Sequence, residues 1–251
     1  MGSENTIEKL KFGLIGKKLG HSFSKVYFEE NFNDNYPNPA TYKNFEIENE
    51  EELKLFCKTK ALKLNGFNIT IPYKETILPF LDNIDKDAKV IGAVNTVKIE
   101  NNKLIGYNTD WVGFVETLIP FLKSKAYKAL ILGTGGASKA VAYGCQKLDI
   151  PITFVSSSKK EFLSYHSLTK KIISKYHLII NTTPLGMYPK SDICPDIPYE
   201  FISSSHVVMD LIYNPKKSLF LANAESKGAT IINGQKMLEI QAQKAWEIWL
   251  T

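Results

Sequence analysis

Short apolar runs alternate along this chain with polar, glycine-bearing turns and with stretches whose apolar residues recur three or four positions apart. Lys11 to Ile15 reads as a strand running into a glycine-rich turn. Ser24 stands where a helix N-cap belongs, with Tyr27, Phe28 and Phe32 following at helical spacing. Tyr42 to Ile47 alternates as a strand does, and Glu50 to Lys60 predicts a helix with Leu53 and Phe56 on one face. Asn65 to Thr70 predicts a strand halted by Pro72, with Lys74 to Leu81 as a helix after it. Val94 to Ile99, a turn at Asn101 and Asn102, and Leu104 to Tyr107 predict a hairpin.

From about residue 128 the rhythm changes. Ala129 to Leu132 is a short apolar run ending in Gly133-Thr134-Gly135-Gly136, and a helix pattern follows over Ala137 to Leu148. Ile152 to Val155, His177 to Ile180, Val207 to Leu211 and Thr230 to Ile232 are further apolar strands. Short strands of this kind, separated by crossovers, point to a parallel sheet covered on both faces. Met237 to Leu250 carries Leu238, Gln241, Ala242, Ala245 and Trp249 at the spacing of an amphipathic helix. The pattern predicts two α/β units, without internal repeats.

Composition narrows the partners. With 44% hydrophobic and 23% charged residues the chain is globular. No apolar run reaches the roughly 18–20 residues of a membrane span. The polar opening Met1-Gly2-Ser3-Glu4 does not resemble a secretory leader, and a cytoplasmic location is expected. Cys57, Cys145 and Cys194 are far apart and predict neutral thiols rather than a disulfide framework. All 31 basic residues are lysine, so the arginine that usually clamps phosphate or carboxylate is absent. These lysines are scattered among acids and apolar residues, which predicts a solvated surface and no nucleic-acid partner. His21, His166, His177 and His206 lack ligand spacing, and no metal site is expected.

The glycine turn is the first chemical signal. A strand, the loop GTGGAS at residues 133–138 and a helix form the context in which glycines let backbone approach a pyrophosphate and helix N–H groups face the anion. Gly133, Thr134, Gly135, Gly136 and Ala137 are therefore candidate cofactor contacts. An NAD site usually puts an acid at the end of the next strand. Here that stretch reads Val155-Ser156-Ser157-Ser158-Lys159-Lys160, and hydroxyls with ammonium groups suit a 2′-phosphate. NADP is the expected cofactor, with Ser156, Ser157, Ser158 and Lys159 around the phosphate.

Seven further segments bear on identity. They are Gly20 to Lys25 (GHSFSK), Asn68 to Lys74 (NITIPYK), Gly92 to Thr96 (GAVNT), Gly106 to Asp110 (GYNTD), Asn181 to Met187 (NTTPLGM), Asp210 to Pro215 (DLIYNP) and Gly234 to Ala242 (GQKMLEIQA). In this order they resemble the shikimate dehydrogenase family from residue 13 to 249. Two positions depart from the family pattern: Lys25 replaces a proline, and Ser157 replaces the arginine that grips the 2′-phosphate, for which Lys159 or Lys160 could substitute.

The resemblance implies an α/β protein of two domains. A substrate-binding domain would comprise residues 1–105 and 236–251, with the C-terminal helix returning to it, and a Rossmann-like NADP-binding domain residues 106–235. It implies reversible reduction of 3-dehydroshikimate to shikimate, a small-molecule partner, and a monomer or homodimer. Lys74 and Asp110 would lie at the reacting centre, with Ser22, Ser24, Thr70, Asn95, Asp110, Tyr213 and Gln241 on the substrate; Asn68, whose amide can bond a ring hydroxyl, is a further substrate candidate. Thr182, Ile212, Gly234 and Met237 would join the cofactor site.

Those residue types suit the chemistry. Hydroxyl and amide side chains donate and accept at once, matching a ring with several hydroxyls and a carboxylate. Ketone reduction builds negative charge on oxygen, which the Lys74 ammonium can stabilise and protonate, with Asp110 holding it. An NAD-dependent quinate/shikimate dehydrogenase, one ring hydroxyl away, stays open. So does a catalytically silent binding relative, although such a relative would be expected to lack Lys74 or Asp110.

Overall fold

A computed structural model describes residues 9–20, 23–35, 40–123 and 127–251. The chain divides into two units, Met1–Thr109 with Ala242–Thr251, and Asp110–Gln241. Both boundaries fall a few residues beyond the expected 105/106 and 235/236.

The first unit contains β1 (Leu10–Gly16), α1 (Phe23–Asn35), β2 (Ala40–Glu46), α2 (Glu50–Lys58), β3 (Gly66–Ile69), α3 (Tyr73–Thr76), β4 (Asn83–Ile84), α4 (Lys86–Ile91), β5 (Thr96–Glu100) and β6 (Lys103–Tyr107). They build a mixed six-stranded sheet in the order β2-β1-β3-β5-β6-β4. β1 runs parallel to both β2 and β3, while β5 is antiparallel to β3 and to β6, so the expected hairpin is the β5–β6 pair. Helix α2 starts where Asn49 accepts the N–H of Glu52, and Glu50, Glu51 and Glu52 favour the positive end of its dipole.

Two expectations need correction. Helix α1 begins at Phe23, so Ser24 lies inside its first turn and is not the N-cap. The helix expected over Lys74 to Leu81 is instead the four-residue α3 followed by a 3-10 turn, Leu78–Phe80. Pro79 sits in that turn and has no N–H to continue the α-helical ladder.

One face of this sheet is covered by aromatic side chains. Phe12, Phe28, Tyr42, Trp246 and Trp249 share a buried cluster with Ala242 and Ala245. Trp249 stacks on Phe12 with ring centroids 4.6 Å apart and donates its indole N–H to the Val97 carbonyl at 2.9 Å. Only glycine fits at position 66, because a Cβ there would occupy the Trp249 ring.

The second unit contains α5 (Asp110–Leu118), β7 (Ala129–Leu132), α6 (Gly136–Lys147), β8 (Ile152–Val155), α7 (Lys170–Ile173), β9 (Leu178–Asn181), β10 (Val207–Asp210), α8 (Leu219–Glu225), β11 (Thr230–Ile232) and most of the first half of α9 (Gln235–Leu250). Its five strands are all parallel, in the order β11-β10-β9-β7-β8. Alternate residues feed opposite cores: Ile131, Ile180 and Met209 pack on one side, Leu130, Ile179 and Val208 on the other. The central strands β7, β9 and β10 are buried throughout, which is why they read as nearly unbroken apolar runs. Cys57 and Cys145 are buried within their units, and burial pushes both thiols up to about 12, so they are neutral packing groups.

Candidate active site

In the first unit the candidate residues gather at one edge of the sheet. Thr70 follows the carboxyl end of β3, Asn95 precedes β5, and Asn108 and Thr109 follow β6. Asn68, Thr96 and Tyr107 lie level across three strands. Ser22 lies outside the described residues, and Ser24 is half-buried.

A buried polar network joins these strands. The Tyr42 hydroxyl donates to Asn68 Oδ1 at 2.8 Å, and burial raises that phenol well above its ordinary pKa. Asn68 Nδ2 donates to the Asn95 carbonyl at 3.2 Å and to Thr96 Oγ1 at 3.1 Å. Both of its amide hydrogens are thus engaged within the protein, where they register β3 against β5. Asn95 is 2% exposed; its Nδ2 donates to Thr109 Oγ1 at 2.9 Å, and its Oδ1 accepts the Thr109 N–H at 2.7 Å. Asn108 donates to the Ala93 carbonyl at 2.9 Å. Tyr42, Thr96, Asn108 and Thr109 were not singled out from the sequence, although the last two belong to the GYNTD segment.

Lys74 is the second residue of α3, half-buried, and its carbonyl accepts the Val94 N–H at 2.8 Å. The backbone of Lys74 is therefore pinned beside the Asn95 network. A helix of four residues has little macrodipole, so its start does not disfavour the Lys74 ammonium. Asp110 follows Thr109 directly and opens α5, where a carboxylate suits the free N–H groups; it is 6% exposed.

In the second unit every strand delivers a candidate at its carboxyl end. Gly133 follows β7, Ser156 follows β8, Thr182 follows β9, Ile212 lies just beyond β10, and Gly234 just beyond β11. The chain turns from β7 outward to β8 and then back to β9 on the other side of β7, a switch point of the kind where open α/β sheets bind ligands. Thr182 closes that point: its N–H and hydroxyl both donate to the Leu132 carbonyl, at 3.0 and 2.6 Å. Gly133 has φ +106°, and a Cβ there would meet Thr182 Oγ1 at 2.7 Å. Met237 is buried in the core beside this sheet, and Gln241 donates to the Leu238 carbonyl at 3.0 Å. Tyr213 is half-buried next to buried Ile212.

Gly135 decides whether a dinucleotide fits. Its φ is −88°, and a Cβ there would meet nothing within 4 Å, so neither strain nor packing within the protein demands a glycine. It is the N-cap of the 12-residue α6, and no side chain caps that helix. Thr134, Gly136 and Ala137 flank it, half-buried. An uncapped helix start, with open space where a side chain on its N-cap residue would lie, fits a pyrophosphate.

The loop after β8 divides its work. Ser156 is buried, and its Oγ accepts the N–H groups of Ser158 at 3.3 Å and Lys159 at 3.0 Å. Its hydroxyl oxygen shapes the loop. Ser157, Ser158, Lys159 and Lys160 are exposed on the turn that results. Among the described residues no cluster of three His, Cys, Asp or Glu could hold a metal ion, and no helix is long and apolar enough to cross a membrane.

Comparison with known proteins follows the same division. The family model for the shikimate dehydrogenase substrate binding domain matches residues 14–97. The shikimate dehydrogenase (NADP(+)) of Methanococcus aeolicus is 42% identical over 254 residues, covering 94% of this chain and 90% of that protein. A shikimate dehydrogenase solved in complex with NADP+ superposes with a TM-score of 0.84 at 36% identity, covering 96% of this chain and 90% of the other. The shikimate 5-dehydrogenase of Thermus thermophilus, in complex with NADP(H) and shikimate, gives a TM-score of 0.84 at 27% identity, covering 96% of this chain and 93% of the other.

Proposed function

The chain belongs to the shikimate dehydrogenase family, and on that premise we propose that it catalyses the reversible, NADP-dependent reduction of 3-dehydroshikimate to shikimate, an oxidoreductase step towards chorismate and the aromatic amino acids. The observation that carries the reading is Gly135, a glycine that no contact or backbone strain within the protein requires, at the uncapped start of α6.

The first turn of α6, with Gly133, Thr134, Gly135, Gly136 and Ala137, would hold the pyrophosphate of NADP. Ser156, Ser157, Ser158 and Lys159 would take the 2′-phosphate, and Thr182, Ile212, Gly234 and Met237 the remaining nucleotide surface. When bound, the nicotinamide supplies or accepts the hydride. Ser22, Ser24, Asn68, Thr70, Asn95, Tyr213 and Gln241 orient the carboxylate and hydroxyls of the ring. A site of such groups rejects analogues that lack a hydroxyl, because its buried polar atoms would go unpaired.

Lys74 presents its ammonium to the C3 oxygen, stabilises the charge that grows there and donates the proton. In the oxidative direction its neutral amine takes that proton back. Asp110 orients Lys74 and a ring hydroxyl. The unpaired thiols of Cys57 and Cys145 support a reducing, cytoplasmic setting, and the enzyme works as a monomer or homodimer.

The test is absorbance at the reduced-nicotinamide band with shikimate or quinate, each with NADP or NAD. Fastest turnover is expected with shikimate and NADP. Higher kcat/KM with quinate and NAD would replace this reading by that of a quinate dehydrogenase.

A further inference from the structure

The strand ends of the nucleotide unit are tied together by one buried acid. Asp210 ends β10, Asn181 ends β9, and the two are register partners in the sheet, each fully buried. Asn181 Nδ2 donates to Asp210 Oδ1 at 3.0 Å and to the Leu185 carbonyl at 3.3 Å. Its Oδ1 accepts from the Thr183 N–H at 3.0 Å and the Thr183 hydroxyl at 2.6 Å. Asp210 Oδ1 also accepts the Ile212 N–H at 3.1 Å, and Oδ2 accepts the Ser218 hydroxyl at 2.5 Å. Ser218 in turn caps α8 through the Leu221 N–H, and the Ile212 carbonyl accepts the Gly234 N–H at 3.0 Å.

This arrangement is costly. Among the described residues no salt bridge reaches Asp210, and burial pushes its carboxyl up to about 6 against the opposing pull of its three donors. A carboxylate is nonetheless the one side chain of this size that can accept from an amide, a backbone N–H and a hydroxyl at once, since asparagine would turn an NH2 towards one of them. The tethered segments are the turn that carries Thr182 and the turn that carries Ile212, with Gly234 attached to the second.

We propose that Asp210 is the positioning residue of the nucleotide site: its carboxylate locks the turns after β9 and β10 together and so sets the affinity for NADP. The inference rests on the reading that Thr182 and Ile212 face that cofactor. A role confined to stability would lower the folded fraction, and with it kcat, while leaving the affinity of the folded molecules intact.

Calorimetric titration with NADP+ separates the possibilities, with circular dichroism to establish that each protein is folded. For Asp210→Asn the Kd is expected to rise about tenfold, the scale of one lost charge-assisted hydrogen bond, and KM for NADP should rise with it, while kcat at saturating cofactor falls much less. A folded Asp210→Asn protein whose Kd stays within fivefold of the parent overturns the proposal. If that variant does not fold, Ser218→Ala decides: a Kd raised threefold or more supports the lock, and a smaller change overturns it. Failure of the parent protein itself to bind NADP+ would sink the cofactor reading instead, which keeps the two outcomes apart.

Discussion

Thr109 donates its backbone N–H to the side-chain oxygen of Asn95 at 2.7 Å, and Asn95 returns an amide hydrogen bond to the Thr109 hydroxyl at 2.9 Å. This reciprocal pair fixes the residue immediately before Asp110, in a place where water does not compete. Asn95→Ala leaves two buried groups of Thr109 without that partner. A stability loss of about 2–3 kcal/mol is expected in denaturant titration. Turnover should fall at least tenfold; normal activity would mean that Asp110 needs no such anchor.

Removing the ammonium tests the chemistry directly. Lys74→Ala should lower kcat about a hundredfold or more with little change in shikimate affinity, the usual scale for a general acid. Asp110→Asn should show a similar loss. Near-normal turnover in the Lys74 variant would take that residue out of the mechanism.

The two glycines of the phosphate turn should respond oppositely to alanine. Gly135→Ala introduces a methyl group into open space at φ −88°, so melting should be unchanged while KM for NADP rises about tenfold. Gly133→Ala forces a Cβ into the left-handed region at φ +106° and against Thr182, and should cost about 1–3 kcal/mol of stability. Equal loss of cofactor affinity and of stability at Gly135 would remove the argument for a bound pyrophosphate.

Asp210 also predicts a pH dependence of stability with a definite sign. Its carboxyl is raised from 3.8 to about 6 in the folded protein, so the stability it contributes is fully present below pH 3.8 and is lost as pH climbs through about 6. The gap between the parent and Asp210→Asn should therefore shift against the parent across that window, by about 3 kcal/mol at most. Tyr199, which burial and neighbouring Cys194 and Asp210 push above its ordinary value, stays neutral throughout. Parallel melting curves from pH 4 to 7 would show that the Asp210 carboxyl titrates alike in the folded and unfolded chains, and that burial does not raise it.

Much of this was legible in the chain because apolar runs dictate strands: Ile152–Val155 and Thr230–Ile232 emerge with the bounds their pattern predicts. The glycine turn was readable for the same reason, as a strand and a helix frame it. Roles that depend on contacts across strands were not. Nothing local marks Asn181 and Asp210 as partners, since they meet only when β9 and β10 pair. Ser156 is a case of the same kind: nothing in the chain shows that its oxygen holds the N–H groups of Ser158 and Lys159. The bonds that Asn68 makes to Asn95 and Thr96 are likewise invisible until β3 and β5 pair.

The seat of Trp249 on Phe12, Gly66 and Val97 sets an order of assembly. A ribosome delivers residues 10–107 first, yet their sheet lacks its indole cover until the intervening unit has been synthesised. At about 5–20 residues per second that delay is on the order of ten seconds. For that interval the nascent chain carries an incompletely shielded aromatic surface of Phe12, Phe28 and Tyr42, a natural site for a chaperone, while the nucleotide unit downstream can already begin to fold.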